Sequence, residues 1–395
     1  MRILVLADAM PYPLSHGQHL RIFHYVRTLG ERHEFDLLCL DDRPLPQPVK
    51  EIFRRIETIP PTEPARSAKR GWRERFALEE MLPEDQRITD RLQQFLTEID
   101  YDLIWMTGER VIPSVPFRRI PVLMDLVDDN VLTLLREAKS SVPLRRRLQA
   151  LKRAFMHFQL ERRYYGQGDG CLVVAEPDAR MFSRICPWMP VRVVKNGVDP
   201  EYFAPREGES RDPVLVFEGN MSFPPNVDAV LFFARKVLPR IRQEVPEARF
   251  LVVGKDPAEE IRRLEGPEVE VTGFVDDLRP YIRQGAVFVS PLRKGAGIKN
   301  KVLQAWAMGR PVVGTRLSFG GLQVREGENA LVADGPSELA ASVVRLLRDP
   351  RKRAALGREG RQTVLSHYTW DQKGRELEAV MLEVAAKDEK RSAYA

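Results

Sequence analysis

Short apolar runs alternate with amphipathic stretches of helical period along most of the chain. That is the pattern of strand–helix–strand units closing on parallel sheets. In the first half, Ile3–Ala7, Phe35–Leu40, Leu103–Met106, Val122–Leu126 and Cys171–Ala175 read as buried strands. Between the first two lies Gln18–Arg32, where Leu20, Phe23, Val26 and Leu29 recur at a three-residue spacing and predict a helix with one apolar face. The alternation is interrupted over Arg43–Glu84, a charged, proline-rich stretch that reads as an excursion from the sheet, with an amphipathic patch at Trp72–Phe76.

The polar stretch Ala204–Pro213 reads as a linker, after which the alternation restarts. Strands are expected at Val214–Glu218, Arg249–Val253, Val269–Val271, Val287–Val289, Pro311–Gly314 and near Ala330–Val332. Helices are expected at Val227–Glu244, at Lys299–Met308 with Gly309 as its C-terminal cap, and from Ser337 onward. The expected division is a first domain over 1–204, a linker over 205–213 and a second domain over 214–369. The last helix, Trp370–Ala386, follows an already complete second core and is expected to cross back to the first domain, with 387–395 a disordered charged tail.

Length and composition narrow this picture. A chain of 395 residues suits two α/β domains rather than one core. A net charge of +6 favours a phosphate-bearing ligand or an anionic membrane surface and is too small for a dedicated nucleic-acid binder. Cys39, Cys171 and Cys186 are scattered without metal-type spacing and read as reduced packing residues, which places the protein in the cytoplasm. The opening MRILVLADAMPYP superficially resembles a signal peptide, but its apolar run breaks at Pro11 and Pro13, so a first strand is the better reading.

The chemistry concentrates between Pro291 and Val313 (PLRKGAGIKNKVLQAWAMGRPVV). A loop holding Gly295 and Gly297 leads from a strand into a helix, which lets backbone approach a bulky anion. Arg293, Lys299 and Lys301 surround the loop, and a leaving diphosphate needs such cations to neutralise the charge it accumulates. Gln304, one turn beyond Lys301, shares its helix face and offers hydrogen bonds to ribose hydroxyls. The plain alternative is a glycine-rich turn with solvated bases.

This segment resembles the PLRxGGGxxxKxLEAMAxGxPVV signature of glycosyltransferase family 4 (group 1), in particular its exopolysaccharide- and cell-envelope-associated subgroup. Further resemblances come in the same order as in that family: Pro11–Gly17, Val193–Phe203 (VVKNGVDPEYF), Phe217–Asn226 (FEGNMSFPPN) and Val271–Pro280 (VTGFVDDLRP). The resemblance implies an α/β GT-B fold, two Rossmann-like parallel-sheet domains facing across a cleft, the first binding acceptor and the second a nucleotide-sugar donor. It implies Arg293 and Lys301 as diphosphate cations and Gly295, Gly297, Ile298, Lys299 and Gln304 as donor contacts. It also implies Phe274 and Val275 against the base, with Asn220 and Gly17 facing the donor. Sugar transfer would proceed with retention, with neither cofactor nor metal, the leaving diphosphate accepting the proton from a saccharide, lipid-linked or small-molecule acceptor. The sequence departs from the family at Gln304, where Glu is usual, and at Ala296, where the subgroup has Gly.

Three features stay open on the sequence. Asp125 and Asp128 at a strand end could meet the acceptor or steady positive charge in a catalytic role, or serve as a helix cap and a solvated carboxylate. His16 could meet the acceptor or be solvated. The basic helix Leu144–Tyr165 could rest on an anionic membrane, or pack through Leu148, Leu151, Phe155 and Phe158 with its bases outside. The competing functional readings are a non-catalytic sugar-nucleotide-binding scaffold and another enzyme on the same fold. An oxidoreductase is disfavoured because no GxGxxG follows the first strand.

Overall fold

The computed structural model describes residues 1–14, 17–61, 82–139, 143–206, 213–295 and 297–393. His16, Ala296, the patch Trp72–Phe76 and most of the stretch Ala204–Pro213 lie outside the described residues. The chain forms two units, Met1–Lys195 with Lys373–Ala395, and Asn196–Gln372.

The first unit is built on a seven-stranded sheet of parallel pairs, in the order β3-β2-β1-β4-β5-β6-β7. These strands are β1 (Arg2–Ala7), β2 (Glu34–Leu40), β3 (Arg55–Ile59), β4 (Leu103–Thr107), β5 (Val122–Val127), β6 (Gly170–Val173) and β7 (Val191–Val193). Helices α1 (Gly17–Leu29), α2 (Gln86–Glu98), α3 (Asn130–Lys139), α4 (Leu144–Arg163) and α5 (Glu176–Ile185) connect them. Central strands are mostly apolar because both sheet faces are covered, and Ile3–Ala7 are fully buried.

Strand β3 corrects the reading of Arg43–Glu84 as an excursion from the sheet. It is an edge strand whose charged residues are used laterally, Arg55 with Glu98 at 2.6 Å and Glu57 with Arg91 at 2.7 Å. Polar residues on an edge strand hide it from a search for apolar runs.

The second unit carries a six-stranded sheet in the order β10-β9-β8-β11-β12-β13, again of parallel pairs. These are β8 (Val214–Glu218), β9 (Arg249–Val253), β10 (Val269–Val271), β11 (Val287–Ser290), β12 (Val312–Gly314) and β13 (Leu331–Val332). Its helices include α6 (Pro224–Phe232), α7 (Asn300–Ala307), α8 (Pro336–Arg348) and α9 (Pro350–His367). Gly309 follows α7 with a φ of 66°, the left-handed geometry of a C-terminal cap.

The units divide after Lys195 rather than at Ala204. Val198 pairs with Thr369 and donates to the Tyr368 carbonyl at 2.8 Å, which ties the chain from Asn196 onward to the second unit. Helix α10 (Trp370–Ala393) belongs to the first unit from Lys373. It buries Leu377, Met381 and Val384, and Glu378 accepts from His33 at 2.7 Å and pairs with Arg32 at 2.8 Å. The helix continues to Ala393, where a disordered tail from 387 was expected, and Lys387 Nζ reaches the Asp169 carbonyl. A run of Lys, Asp, Glu and Arg carries enough helix propensity to prolong a helix already docked by its apolar face.

Candidate functional site

In each sheet the strand order reverses beside the first strand of the unit, and open α/β sheets bind ligands at the carboxyl ends of strands at that point. In the second unit the reversal falls between β8 and β11. The loops that leave these two strands, Gly219–Phe223 and Pro291–Lys299, therefore bracket the crevice. Gly219 and Gly254 approach so closely that a Cβ on Gly254 would lie 1.7 Å from the Gly219 carbonyl oxygen. A side chain at either position would push the loop after β8 off the sheet.

Lys301, in the first turn of α7, reaches back across this crevice. Its Nζ donates to the Glu218 carbonyl and to Asn226 Oδ1 at 3.0 Å, and stands 4.0 Å from the centre of the Phe217 ring. Burial lowers its pKa to about 8, with Glu218 opposing that shift and Lys299 adding to it. Burial likewise raises the Glu218 carboxyl, and Lys301 pulls it back down.

Arg293 donates to Asp228 through Nε at 3.0 Å and Nη2 at 2.9 Å, and its guanidinium lies 4.3 Å from the centre of the Phe232 ring. Lys294 pairs with the same carboxylate at 3.0 Å. Burial raises the Asp228 pKa, but the hydrogen bonds from Arg293 and Lys294 outweigh it and leave the pKa below the usual carboxylate value. The loop beneath is pinned by Ser318, whose Oγ donates to the Ser290 carbonyl and accepts from the Leu292 amide at 3.3 Å, and by Thr315, which donates to the Leu292 carbonyl. Gly295 and Gly297 hold φ of 116° and 67°, and Lys299 Nζ donates to the Gly297 carbonyl at 2.9 Å. Ile298 packs on the core. The second unit thus gathers Arg293, Lys294, Lys299 and Lys301 around one glycine turn, with Asp228 and Glu218 beneath and beside them.

The remaining predicted donor residues are distributed around this centre. Gln304 Oε1 is buried and without a hydrogen-bond partner among the described residues. Asn220 Oδ1 is engaged in its own turn, accepting from the Ser222 amide at 2.9 Å and hydroxyl at 2.7 Å, while its carbonyl accepts from Asn226. Phe274 leaves its ring 71% exposed beyond β10, and Val275 packs on the core.

In the first unit Gly17 opens α1, whose next residue, Gln18, donates to Asp8 at 3.3 Å and Thr107 at 2.9 Å. Asp125, which the sequence left open between an acceptor contact and a cap or solvated carboxylate, is 2% exposed. Its Oδ2 accepts from Arg21 Nε at 2.6 Å and from Trp105 Nε1 at 3.2 Å, and Arg21 also donates to the Val194 carbonyl at 2.7 Å. This is a buried brace between α1, β4, β5 and the end of β7, and it is closed to a substrate hydroxyl. Asp128 is half-buried after β5, and the helix cap is its neighbour Asp129, which accepts from the Leu132 amide at 2.7 Å. Glu161 is buried, and burial with nearby Asp129 and Glu109 raises its pKa.

Asp228, Glu218, Asn226, Thr315, Ser318 and Arg21 do not stand out as site residues in the sequence. Asp228 carried a faint signal, an acid in the first helix after the first strand of a half whose ligand is anionic. The buried arginine carried none.

Two doubly wound parallel-sheet units are the architecture of the GT-B fold. The whole chain superposes on sucrose-phosphate synthase from Thermosynechococcus elongatus with a TM-score of 0.74 at 18% identity, covering 98% of this chain and 100% of that one. It also superposes on HepE of Anabaena in complex with UDP and glucose, with a TM-score of 0.68 at 15% identity over 96% and 98% of the two chains. Residues 212–349 match the family described as "Glycosyl transferases group 1", and the chain has the GT-B fold. In sequence it is 28% identical over 225 residues to the GDP-mannose-dependent α-(1-6)-phosphatidylinositol monomannoside mannosyltransferase of Mycolicibacterium smegmatis. That match spans 50% of this chain and 58% of the mannosyltransferase. An uncharacterised protein of the Klebsiella pneumoniae cps region is 22% identical over 87% of this chain and 90% of its own length.

Proposed function

We propose that the protein transfers a hexosyl group from a nucleoside diphosphate sugar to an acceptor hydroxyl, with retention and without a metal, in the biosynthesis of a polysaccharide or glycoconjugate. The donor binds the second unit and the first unit binds a saccharide, lipid-linked or small-molecule acceptor. The observation that carries this reading is the set of Arg293, Lys299 and half-buried Lys301 around the Gly295–Gly297 turn at the switch point.

In the reaction, the bond from the anomeric carbon to the β-phosphate oxygen breaks while the acceptor oxygen bonds to the same face of that carbon. The acceptor proton passes to the departing phosphate oxygen. Breaking that bond adds one negative charge to a diphosphate that already carries two, and the cations of this turn are positioned to meet it. The glycines expose backbone amides to the same oxygens. Gln304, with its buried unpartnered oxygen, accepts a ribose hydroxyl, and the open Phe274 ring takes the base by stacking. Retention by front-face departure is supported by the two acids near the loop. Asp228 is engaged by Arg293, and Glu218 lies buried behind Lys301, so neither is placed as a covalent nucleophile.

The test is thermal stabilisation by UDP, GDP, ADP, TDP and CMP, on the wild type and on Lys301→Ala. A shift of several degrees with one diphosphate, abolished in the variant, supports the donor site and names the base. No shift with any nucleotide removes the donor reading and leaves a scaffold protein on the same fold.

A further inference from the structure

Helix α4 carries a second apolar face that its own unit does not cover. It packs inward through Ala150, Ala154, Leu160 and Glu161. Leu148, Leu151 and Phe155, which the sequence analysis placed on the packed face if the helix docks on its own domain, are 58%, 40% and 50% exposed, and Leu144 is 70% exposed. Only Phe158 of that expected face packs against the core. Leu144, Leu148, Leu151 and Phe155 are spaced by four, three and four residues, so they form one straight stripe about 16 Å long on the outer side of the helix. They are four of the ten exposed large apolar side chains among the described residues, gathered on a single helix rather than scattered.

The helix is also rich in cations, two of which border the stripe. Arg145 and Arg147 flank the stripe near Leu144, and Arg146 and Arg153 are exposed on the same helix. The first turn holds no acid and no capping side chain, so three arginines stand at the positive end of the helix dipole. That placement is unfavourable for the helix alone, and a negatively charged surface outside it would relieve the repulsion. An apolar stripe between cations, parallel to the helix axis, is the geometry of a helix lying in the plane of an anionic bilayer.

We infer that α4 docks the protein onto an anionic lipid surface, with Leu144, Leu148, Leu151 and Phe155 entering the headgroup–acyl boundary and Arg145 and Arg147 meeting lipid phosphates. No described helix is long and apolar enough to cross a membrane, so this contact is peripheral. The inference is independent of the donor site, because its readout is binding and not sugar transfer.

The experiment is co-sedimentation of the full chain with phosphatidylcholine vesicles, with and without phosphatidylglycerol. Two double variants are compared with the wild type, Leu148→Ser with Phe155→Ser and Arg145→Glu with Arg147→Glu. Partition onto the anionic vesicles should exceed that onto neutral ones by at least about tenfold, with each arginine worth roughly fivefold. Both variants should lose that gain while their melting temperatures and nucleotide-induced shifts stay at wild-type values. Equal partition onto both vesicle types, or variants that bind as the wild type does, overturns the inference. So does wild-type self-association in sedimentation velocity that the Leu148→Ser, Phe155→Ser variant abolishes without any vesicle binding, since the stripe would then be a contact between copies.

Discussion

The guanidinium of Arg293 is forked onto the carboxylate of Asp228, Nε to Oδ2 at 3.0 Å and Nη2 to Oδ1 at 2.9 Å. Two consequences oppose each other. The carboxylate orients the guanidinium, and it also cancels part of the charge that a diphosphate would use. Arg293 is nearly half exposed, so the pair itself adds little stability. Asp228→Asn should tighten binding of the free nucleoside diphosphate by about two- to fivefold, because one competing charge is gone. The same change should lower kcat by roughly tenfold, because the guanidinium loses its orientation. Calorimetry and steady-state rates separate the two, and weaker diphosphate binding by the variant would sink the account.

Lys301 is half-buried among Phe217, Glu218 and Asn226, and its ammonium is held there at a cost to folding. Its pKa of about 8 lies below the ordinary lysine value, so the unfolded chain binds this proton more tightly than the native one. Stability should therefore rise with pH between these two values. Lys301→Met should be more stable than the wild type at neutral pH, on the order of 2 kcal/mol, and should lose diphosphate binding. Wild-type affinity for the diphosphate should fall as pH rises through about 8 and the ammonium discharges, which titration calorimetry along a pH series would read. A Met variant that is less stable at neutral pH would contradict that cost.

Asp125 and Arg21 form a pair closed to solvent, with side chains 1% and 0% exposed. Removing one partner strands the other charge in the core. Asp125→Ala should lose about 3–5 kcal/mol of stability in denaturant unfolding. In the material that still folds, kcat and the acceptor KM should stay close to wild type. A large kcat defect with normal stability would return Asp125 to a catalytic role.

Glu161 faces Asp129, Glu109 and Asp178, with His157 one turn away on its own helix. Burial first and these acids next raise its pKa, so the native state keeps a proton that the unfolded chain releases above the ordinary carboxylate range. The stability held by that proton is complete at acid pH and is lost as pH climbs towards the raised value. Glu161→Gln stays neutral throughout. Its gain in melting temperature should be small near pH 5 and grow to several degrees near pH 8. A gain that shrinks with pH would mean the carboxylate is charged in the fold.

By itself, the sequence determined the features that depend on near neighbours. Near-continuous apolar runs marked the central strands of both sheets, because a strand covered on both faces is mostly apolar. The glycines and bases of Pro291–Lys301 marked the anion-binding turn, because a loop, its flexible backbone and its cations are contiguous in the chain. Tertiary structure alone decided the partners. Arg293 meets Asp228 across 65 residues and Arg21 meets Asp125 across 104, distances over which only the pairing order of parallel strands brings side chains together. The same holds for edges and faces. β3 is polar because one of its sides is open, and α4 repeats its apolar residues on two faces whose periods are identical. Which of these faces turns inward was settled by the packing of α3 against α4, with the small Ala150 and Ala154 buried and the larger side chains left outside.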